Sequence, residues 1–355
     1  LRRTDTLARW GGDSFALVLA DLPNEHAVLP ALQKVIGAVA EPFEDGSLTL
    51  TLAASMGVDV FPDGSRSAAV MIERASEALR RAKETNRGGY RFNDDEFDAA
   101  MRSRLSLESE LRTALATDQL ILHYQPRIEL DSGAIKSVEA LVRWVHPTKG
   151  LLKPAEFLPL LEESQMGQAL FEWVLERACR QAKRWQRQRT PRRVAVNISP
   201  QALERGDLAA TVKAALSRHD LHPGLLEIEV SERTALATLE ASVMRLAEMR
   251  EMGVHVALDD FGIAQSSLTH LRELPLDGLK IDRSFVTKLD AKAPGADVDL
   301  LRAIIALGKS LKLRITAEGI ETREQNSLLR SLRCDDGQGF LYSQPVPPEY
   351  VPAFA

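Results

Sequence analysis

The feature that most constrains the fold is an alternation of short apolar segments with longer amphipathic ones over residues 118–355. The short segments have the length of β-strands, and most are separated by a pattern of helical period. Strands that alternate with helices predict βα units and a parallel sheet. About eight such units in ~240 residues fit a closed (β/α)8 barrel of the TIM type better than an open sheet. The predicted strands are residues 120–125, 135–144, 194–198, 225–230, 254–258, 278–281, 313–317 and 339–343.

Polar side chains that are expensive to bury fall in or directly after these predicted strands. The carboxyl ends of barrel strands converge on one mouth, where the active sites of such barrels lie. A single buried carboxylate is compatible with a structural ion pair, but several on different strands predict a site. An internal network of ion pairs is the alternative. The residues in question are Glu139, Asn197, Glu227, Glu229, Asp259, Asp260, Lys280, Asp282 and Glu318.

The chemistry of this set points to metal ions. Carboxylate and amide oxygens, without a cluster of His or Cys, suit the hard divalent cations Mg²⁺ and Mn²⁺. The adjacent Asp259 and Asp260 could share two ions about 3.5–4 Å apart, as two-metal phosphoesterases do. Lys280 would hold a phosphate oxygen or orient the attacking water. From the residues alone we predict metal-assisted phosphodiester hydrolysis.

The motifs around these residues resemble the EAL family of bacterial cyclic di-GMP phosphodiesterases. Glu139, Ala140 and Leu141, followed by Arg143 and Trp144, look like the signature that names the family. Further motifs follow in the family's order and at compatible spacing. They occupy residues 124–126, 197–200, 229–232, 259–262, 280–282, 317–319 and 338–340, so the resemblance covers about 118–355.

The resemblance implies metal-binding and catalytic roles residue by residue. One ion would be bound by Glu139, Asn197, Glu229 and Asp259. Asp259 and Asp260 would bind a second ion, with Glu318 nearby as a further ligand or as the general base. Lys280 would position the attacking water. The implied catalytic residues are Glu139, Lys280 and Glu318.

The resemblance also implies which residues contact the cyclic dinucleotide. Arg143 would form a forked contact with a phosphate oxygen. Glu232 would brace the loop after the two aspartates, although an acid that starts a helix can equally be solvated. The implied substrate-binding residues are Gln125, Leu141, Arg143, Asp282 and Gln338, the last also supporting the metal ligands.

One loop departs from the family's pattern. Residues 263–268 read Ile-Ala-Gln-Ser-Ser-Leu, where the family usually has Thr-Gly-Tyr-Ser-Ser-Leu. Ala264 would resist a positive φ that Gly allows. In the family this loop holds the metal-binding acids and contributes to a homodimer through the EAL domain. The resemblance therefore predicts binding of cyclic di-GMP and of the metal, with hydrolysis as the expected activity and a catalytically weak receptor as the alternative.

The amino-terminal residues resemble a partial GGDEF diguanylate cyclase domain of α+β class. The matches are the hairpin motif at residues 9–15, the segment 55–58 and the helical pattern 75–83. Ser14 stands where the family has a second acid, and a hydroxyl cannot supply that negative charge. The first half of such a domain is expected upstream of Leu1. Cyclase activity is therefore not expected, although GTP is a candidate ligand that would tune the second domain.

A short motif near the start is a candidate allosteric site. Arg2 and Asp5 have the spacing, and the distance before Gly11 and Gly12, of the GGDEF family's inhibitory site for cyclic di-GMP. Arg2 could fork onto phosphate or guanine. A salt bridge at the start of a strand explains the same two residues equally well.

The composition disfavours several classes of protein and of partner. A net charge of −5 over 355 residues disfavours a partner that is a nucleic-acid polymer. Two cysteines cannot build a disulfide framework, and the apolar runs are too short for a membrane span, so we expect a cytoplasmic protein without membrane contact in this segment. The predicted division is a partial GGDEF domain at 1–95, a connecting helix at 96–117 and an EAL barrel at 118–355.

Overall fold

A computed structural model describes residues 2–22, 27–45, 48–61, 67–85, 87–163, 166–204, 207–263, 268–289 and 295–351. The chain divides into two compact units, Leu1–Ser109 and Glu110–Ala355. The division falls inside a single helix, Asp95–Ala116, which occupies the residues where the sequence predicts a connecting helix. None of the helices in the described residues is both long and apolar enough to cross a membrane.

The first unit combines short strands and helices around a small apolar core. Antiparallel β1 (Thr6–Gly11) and β2 (Ser14–Val18) form a hairpin whose turn places Gly11 and Gly12 at positive φ, 143° and 56°. That geometry explains why two glycines stand there. Val28, Leu29, Leu32, Phe92 and Met101 form the buried core. The elements are β1 (Thr6–Gly11), β2 (Ser14–Val18), α1 (Val28–Ala40), β3 (Phe43–Asp45), β4 (Leu48–Leu50), β5 (Met56–Val58), α2 (Ala68–Thr85), β6 (Tyr90–Phe92) and α3 (Asp95–Ala116).

The second unit is a closed barrel, as the alternation of segments predicts. Within the described residues, eight strands close in the order β8, β10, β11, β12, β13, β14, β15, β7 and back to β8, while β9 extends β8 as a hairpin. The strands are β7 (Leu120–Glu129), β8 (Ile135–His146), β9 (Gly150–Leu152), β10 (Arg193–Asn197), β11 (Leu226–Ser231), β12 (His255–Phe261), β13 (Gly278–Ile281), β14 (Arg314–Ala317) and β15 (Asp336–Gly337).

Helices surround this barrel and bury one face each. In α5, for example, Leu170, Val174 and Ala178 recur at helical spacing and are buried. A short 3-10 helix, Pro223–Leu225, precedes β11. The helices are α4 (Pro154–Glu163), α5 (Gly167–Arg187), α6 (Pro200–Glu204), α7 (Leu208–His219), α8 (Glu232–Ala237), α9 (Leu239–Glu251), α10 (Leu268–Glu273), α11 (Arg283–Thr287), α12 (Ala296–Ser310) and α13 (Arg323–Ser331).

The first barrel strand departs from the expectation of a wholly parallel sheet. β7 runs antiparallel to both of its neighbours, β8 and β15. Only residues 130–134 separate β7 from β8, with Gly133 in the turn at φ 76°. A parallel connection needs about a dozen residues or more, so a link this short can only form a hairpin. The hairpin places Gln125 opposite Glu139.

The last predicted strand, at 339–343, is wrong in position. The pairing strand is β15 at Asp336–Gly337, and residues 339–343 form a turn in which Tyr342 N and Ser343 N donate to Gly339 O. Leu341 N donates to Ile320 O at 3.0 Å. These backbone groups are therefore used within the turn and with the loop after β14 instead of in a strand ladder.

Candidate active site

The barrel brings the predicted strand-end residues together at one mouth. Glu139 lies in β8, Glu229 in β11 and Asp259 in β12, and all three are buried. Asn197 ends β10, and Glu318 follows β14 directly. Because the parallel strands present their carboxyl ends at the same edge, residues far apart in sequence become neighbours.

Lys280 of β13 is the centre of this cluster. Its side chain is 1% exposed, and its Nζ lies 2.7 Å from Glu318 Oε1, 3.0 Å from Glu229 Oε2 and 3.0 Å from Asp259 Oδ2. Glu139 Oε2 lies 3.4 Å from the same nitrogen. A buried ammonium is tolerated only where opposite charges compensate it, and here carboxylates from different strands do so.

Two sets of carboxylates in the described residues are close enough to hold metal ions. Ligand atoms of Glu139, Glu229 and Asp259 lie within 4.8 Å of one another, and so do those of Asp259, Asp260 and Glu318. Asp259 belongs to both sets. Oxygen donors of this kind fit hard divalent cations, so the residues present suit the metal-binding role that the sequence predicts.

The backbone at Asp260 explains how two adjacent aspartates serve one mouth. Successive residues of a regular strand point to opposite faces. Here β12 is irregular between Leu258 and Phe261, and Asp260 adopts the left-handed region with φ 56°. Its N–H donates to Asp259 Oδ1 at 2.9 Å. A non-glycine residue in this region is uncommon and costs conformational energy. The unusual backbone lets the carboxylates of Asp259 and Asp260 belong to the same acidic set.

The carboxylates of the cluster have different proton affinities. Burial alone would raise the pKa of Glu139, but Lys280, Arg127 and the amides of Gln338 and Asn197 outweigh it and lower the pKa to about 2. Burial raises the pKa of Glu318 to about 7, although Lys280 opposes this effect. Glu139 is thus anionic at neutral pH, while Glu318 is the carboxylate able to exchange a proton there.

Two further groups of the mouth show shifts with clear causes. Burial, followed by the charge of Asp259, raises the pKa of Asp260. Burial would lower the pKa of Lys280, but Asp259, Glu139 and Glu318 outweigh it and raise that pKa. Lys280 is therefore positively charged at neutral pH.

Among the residues predicted to contact substrate, Gln125 and Gln338 are joined to each other and, through Gln338, to Glu139. Gln125 Nε2 donates to Ser343 O at 3.1 Å, and Gln125 Oε1 accepts from Gln338 Nε2 at 3.0 Å. Leu141 is half-buried, whereas Arg143 is buried and donates from Nη1 to Val142 O. Asp282 accepts a hydrogen bond from Ser284 N at 2.9 Å and so caps α11. For Asp282 the structure therefore shows a structural contact at the start of α11.

Glu232 is buried, so the alternative of a solvated acid at the helix start is wrong. It begins α8, is 1% exposed, and its Oε2 accepts from Gly262 N at 3.0 Å. A bracing role would act through this bond to the residue after the aspartates. The altered loop positions Ala264, Gln265, Ser266 and Ser267 lie outside the described residues.

The candidate allosteric pair belongs to the first unit. Asp5 Oδ2 accepts a hydrogen bond from the backbone N–H of Arg2 at 2.5 Å. This is a local turn contact, and Arg2 itself is exposed.

Sequence reasoning missed Arg127. This residue is 3% exposed on β7, and its Nη1 donates to Glu227 Oε1 at 2.5 Å. It also forms an ion pair with Glu229 and donates from Nε to Gln338 Oε1 at 3.0 Å. The available signal was its spacing, because a cation two residues after Gln125 in a strand lies on the same face.

A closed barrel with carboxylates and a lysine at the carboxyl ends of its strands defines a TIM-type barrel with a metal-competent site. The sequence comparisons give the family. The chain belongs to the EAL domain family, whose model matches residues 108–345. The model described as diguanylate cyclase, GGDEF domain, matches residues 1–89.

Similar proteins of known name come from Pseudomonas aeruginosa. The cyclic di-GMP phosphodiesterase NbdA is 40% identical over 348 residues, which cover 98% of this chain and 44% of that protein. The bifunctional diguanylate cyclase/cyclic di-GMP phosphodiesterase MucR is 38% identical over 353 residues, covering 99% of this chain and 51% of that protein. The chain therefore spans about half the length of these relatives.

A solved structure agrees with the fold. The phosphodiesterase of PaMucR in complex with c-di-GMP is 42% identical, with a TM-score of 0.66, and the match covers 70% of this chain and 100% of that one.

Proposed function

We propose that this protein hydrolyses cyclic di-GMP to linear 5′-pGpG with the help of two divalent metal ions. The observation that carries the proposal is Asp259, whose carboxylate belongs to both acidic sets beside Lys280. Further support comes from NbdA, a named cyclic di-GMP phosphodiesterase, and from the PaMucR phosphodiesterase in complex with c-di-GMP. Diguanylate cyclase activity is not expected, because Ser14 replaces the second acid of the hairpin motif.

The proposed ions are Mg²⁺ or Mn²⁺, which prefer oxygen ligands. One would be held by Glu139, Asn197, Glu229 and Asp259, and the other by Asp259 and Asp260, with Glu318 nearby. When bound, such ions neutralise phosphate charge and favour ionisation of the attacking water.

The chain's own residues would bind the substrate and move the proton. Gln125, Leu141 and Arg143 would hold the dinucleotide, with the planar guanidinium of Arg143 matched to a phosphate. Lys280 would orient the attacking water, and Glu318, whose pKa burial raises to about 7, would accept its proton. The new P–O bond forms as the P–O3′ bond breaks, and the departing O3′ takes up a proton.

The test is incubation of the purified protein with cyclic di-GMP and Mn²⁺, followed by chromatography of the products. We expect pGpG from the wild type and none from Glu139→Gln. Glu324→Gln, an exposed glutamate of α13, is the matched control and should retain activity. If the wild type forms no pGpG at all of the Mn²⁺ concentrations tested, the proposal of hydrolysis is refuted.

The second candidate is a receptor that binds cyclic di-GMP and turns it over weakly or not at all. The altered segment at 263–268 favours it, because the family uses this loop to hold the metal-binding acids. Tight binding without pGpG, lost in Glu139→Ala, would establish the receptor. The homodimer stays a prediction, which sedimentation tests. The GTP site and the Arg2–Asp5 site for cyclic di-GMP also stay predictions, which titration with each nucleotide tests.

A further inference from the structure

Arg127 occupies an unusual level of the barrel because its strand runs in the opposite direction. Along the parallel strands, later residues lie nearer the mouth. Along antiparallel β7, residues after Gln125 instead lie deeper. The register pairs Gln125 with Glu139 and Arg127 with Ser137, two residues before Glu139 on β8. The guanidinium is thus placed one layer below the carboxylates of the mouth, where it is 3% exposed.

From this layer Arg127 contacts two parts of the proposed metal site. It pairs directly with Glu229, and its Nε donates to Gln338 Oε1 at 3.0 Å. The second contact decides which way the Gln338 amide faces. Since its oxygen accepts from Arg127, its Nε2 is directed at Glu139 Oε2, 2.7 Å away, and at Gln125 Oε1, 3.0 Å away. Arginine has no acceptor, so the reversed amide would lose these bonds.

The guanidinium is itself anchored from the side away from the mouth. Glu227 accepts from Arg127 Nη1, and the other oxygen of Glu227 lies 3.5 Å from Arg193 Nη1. Arg193 Nη2 in turn donates to His255 Nε2 at 2.8 Å. A planar group bound on several sides has little freedom to rotate, so its orientation is transmitted to the groups above it.

We propose that Arg127 is a positioning residue that presents Glu229 directly, and Glu139 through Gln338, to the metal ion that these two carboxylates would hold with Asn197 and Asp259. The proposal rests on the proposed function only in taking Glu139 and Glu229 as metal ligands. Residues that orient metal ligands typically change metal affinity about 10- to 100-fold when they are altered. Arg127 would be such a residue, contributed by the one barrel strand that is antiparallel to its neighbours among those described.

The test compares two arginine-to-lysine substitutions. Arg127→Lys keeps the positive charge but loses the planar fork. Arg314→Lys is the matched control, because Arg314 of β14 also binds two carboxylates, Asp336 and Glu129, without touching the metal cluster. Mn²⁺ alone is titrated into each chelator-treated protein by calorimetry. We expect at least a 10-fold higher Kd in Arg127→Lys and a wild-type Kd in Arg314→Lys.

Kinetics separate positioning from general damage. The Mn²⁺ concentration for half-maximal hydrolysis should rise in Arg127→Lys by the same factor as the Kd, and saturating Mn²⁺ should restore hydrolysis, because Arg127 acts through the metal ligands Glu229 and Glu139. Wild-type Mn²⁺ affinity in a folded Arg127→Lys protein would overturn the proposal. The buffer contains no pyrophosphate, because pyrophosphate would bind Mn²⁺ in competition with the protein.

A second variant decides the matter if Arg127→Lys does not fold. Gln338→Leu removes the link to Glu139 without leaving a buried charge unpaired, so weaker Mn²⁺ binding is expected and unchanged binding refutes the inference. If Mn²⁺ binding depends on Arg127 but no pGpG forms, the proposed function is refuted and the role of Arg127 stands. If the wild type hydrolyses cyclic di-GMP but neither Arg127→Lys nor Gln338→Leu changes Mn²⁺ binding, the role of Arg127 is refuted and the proposed function stands.

Discussion

The barrel strands and the β1–β2 hairpin of the first unit differ in how far they are buried. In the barrel, strands such as β11 are buried almost throughout, and their acidic residues face compensating cations. In the first unit every residue of β1 is exposed, and Leu7, Trp10 and Phe15 of the hairpin are 56%, 60% and 63% exposed. A closed barrel covers its own interior, whereas a two-stranded hairpin has no second layer of its own. The barrel can therefore bury a cluster of charges such as the one around Lys280, which an exposed hairpin cannot.

The signature motifs show the same contrast. Glu139 is buried and held by Lys280, Asn197 and Gln338. In the hairpin motif, Asp13 is exposed, and its only described hydrogen bond is a weak one from Ser14 Oγ at 3.5 Å. Water screens an exposed carboxylate, while a buried one depends on its partners. Substitutions in the two motifs should therefore differ in effect, and the predictions below test this from the largest effect to the smallest.

Lys280→Met should have the largest effect on stability. It leaves the buried carboxylates of Glu139 and Glu229 without their ammonium, which costs about 3–5 kcal/mol of the unfolding free energy in metal-free protein. It also removes the group proposed to orient water, so hydrolysis should fall by at least about 100-fold. Urea unfolding in chelator and product chromatography measure the two effects.

Lys309→Met is its control. Lys309 pairs with Asp335 at the surface, with 40% of the lysine side chain exposed. Surface pairs contribute about 0–1 kcal/mol, so a loss as large as that of Lys280→Met would contradict the role given to burial.

Asp259→Asn and Asp13→Asn apply one chemical change to the two motifs. Asp259 belongs to both acidic sets, so its loss should weaken Mn²⁺ binding by more than about 100-fold and stop pGpG formation. Asp13→Asn should leave both properties at wild-type values, because the described cluster lies in the other unit. Calorimetric Mn²⁺ titration and chromatography are the measurements, and an equal loss in both variants would break the comparison.

Two glycine-to-alanine substitutions should have opposite signs. A Cβ on Gly339 would lie 2.1 Å from Ile320 O, a backbone atom that cannot move freely, so Gly339→Ala should destabilise the barrel by about 1–3 kcal/mol. Gly37 lies within helix α1 with nothing within 4 Å of its Cβ position, so Gly37→Ala should stabilise the first unit by about 0.5–1 kcal/mol. Thermal unfolding of each variant checks the signs.

The smallest effect is a pH dependence at His255, which ends the series of contacts from Arg127 through Glu227 and Arg193. Burial, and then Arg193, lowers the pKa of His255, whose Nε2 must accept from Arg193. Since the folded pKa is lower than the unfolded one, the unfolded chain binds more protons, and this stability is present above about pH 6.5 and lost as the pH falls. His255→Gln should therefore reduce the loss of stability between pH 7.5 and 5.5. An unchanged slope in urea unfolding would contradict this.

Much of the barrel and its mouth was predictable. The strands at 194–198, 225–230, 254–258 and 278–281 overlap β10 to β13, because period and composition are local properties. Once those strands are placed, residues near their carboxyl ends converge on one mouth where their side chains point into the barrel. This is why Glu139, Asn197, Glu229, Asp259, Lys280 and Glu318 are found together.

The sequence by itself determined the residue types, their strand-end positions and hence the membership of the acidic cluster. Only the tertiary structure decided the place of β7 between β15 and β8, the left-handed backbone of Asp260 and the partners of Arg127. Those partners lie 100 and 211 residues away along the chain, at Glu227 and Gln338. No local pattern specifies such contacts, because they arise only when strand order and register bring distant side chains into one low-dielectric layer.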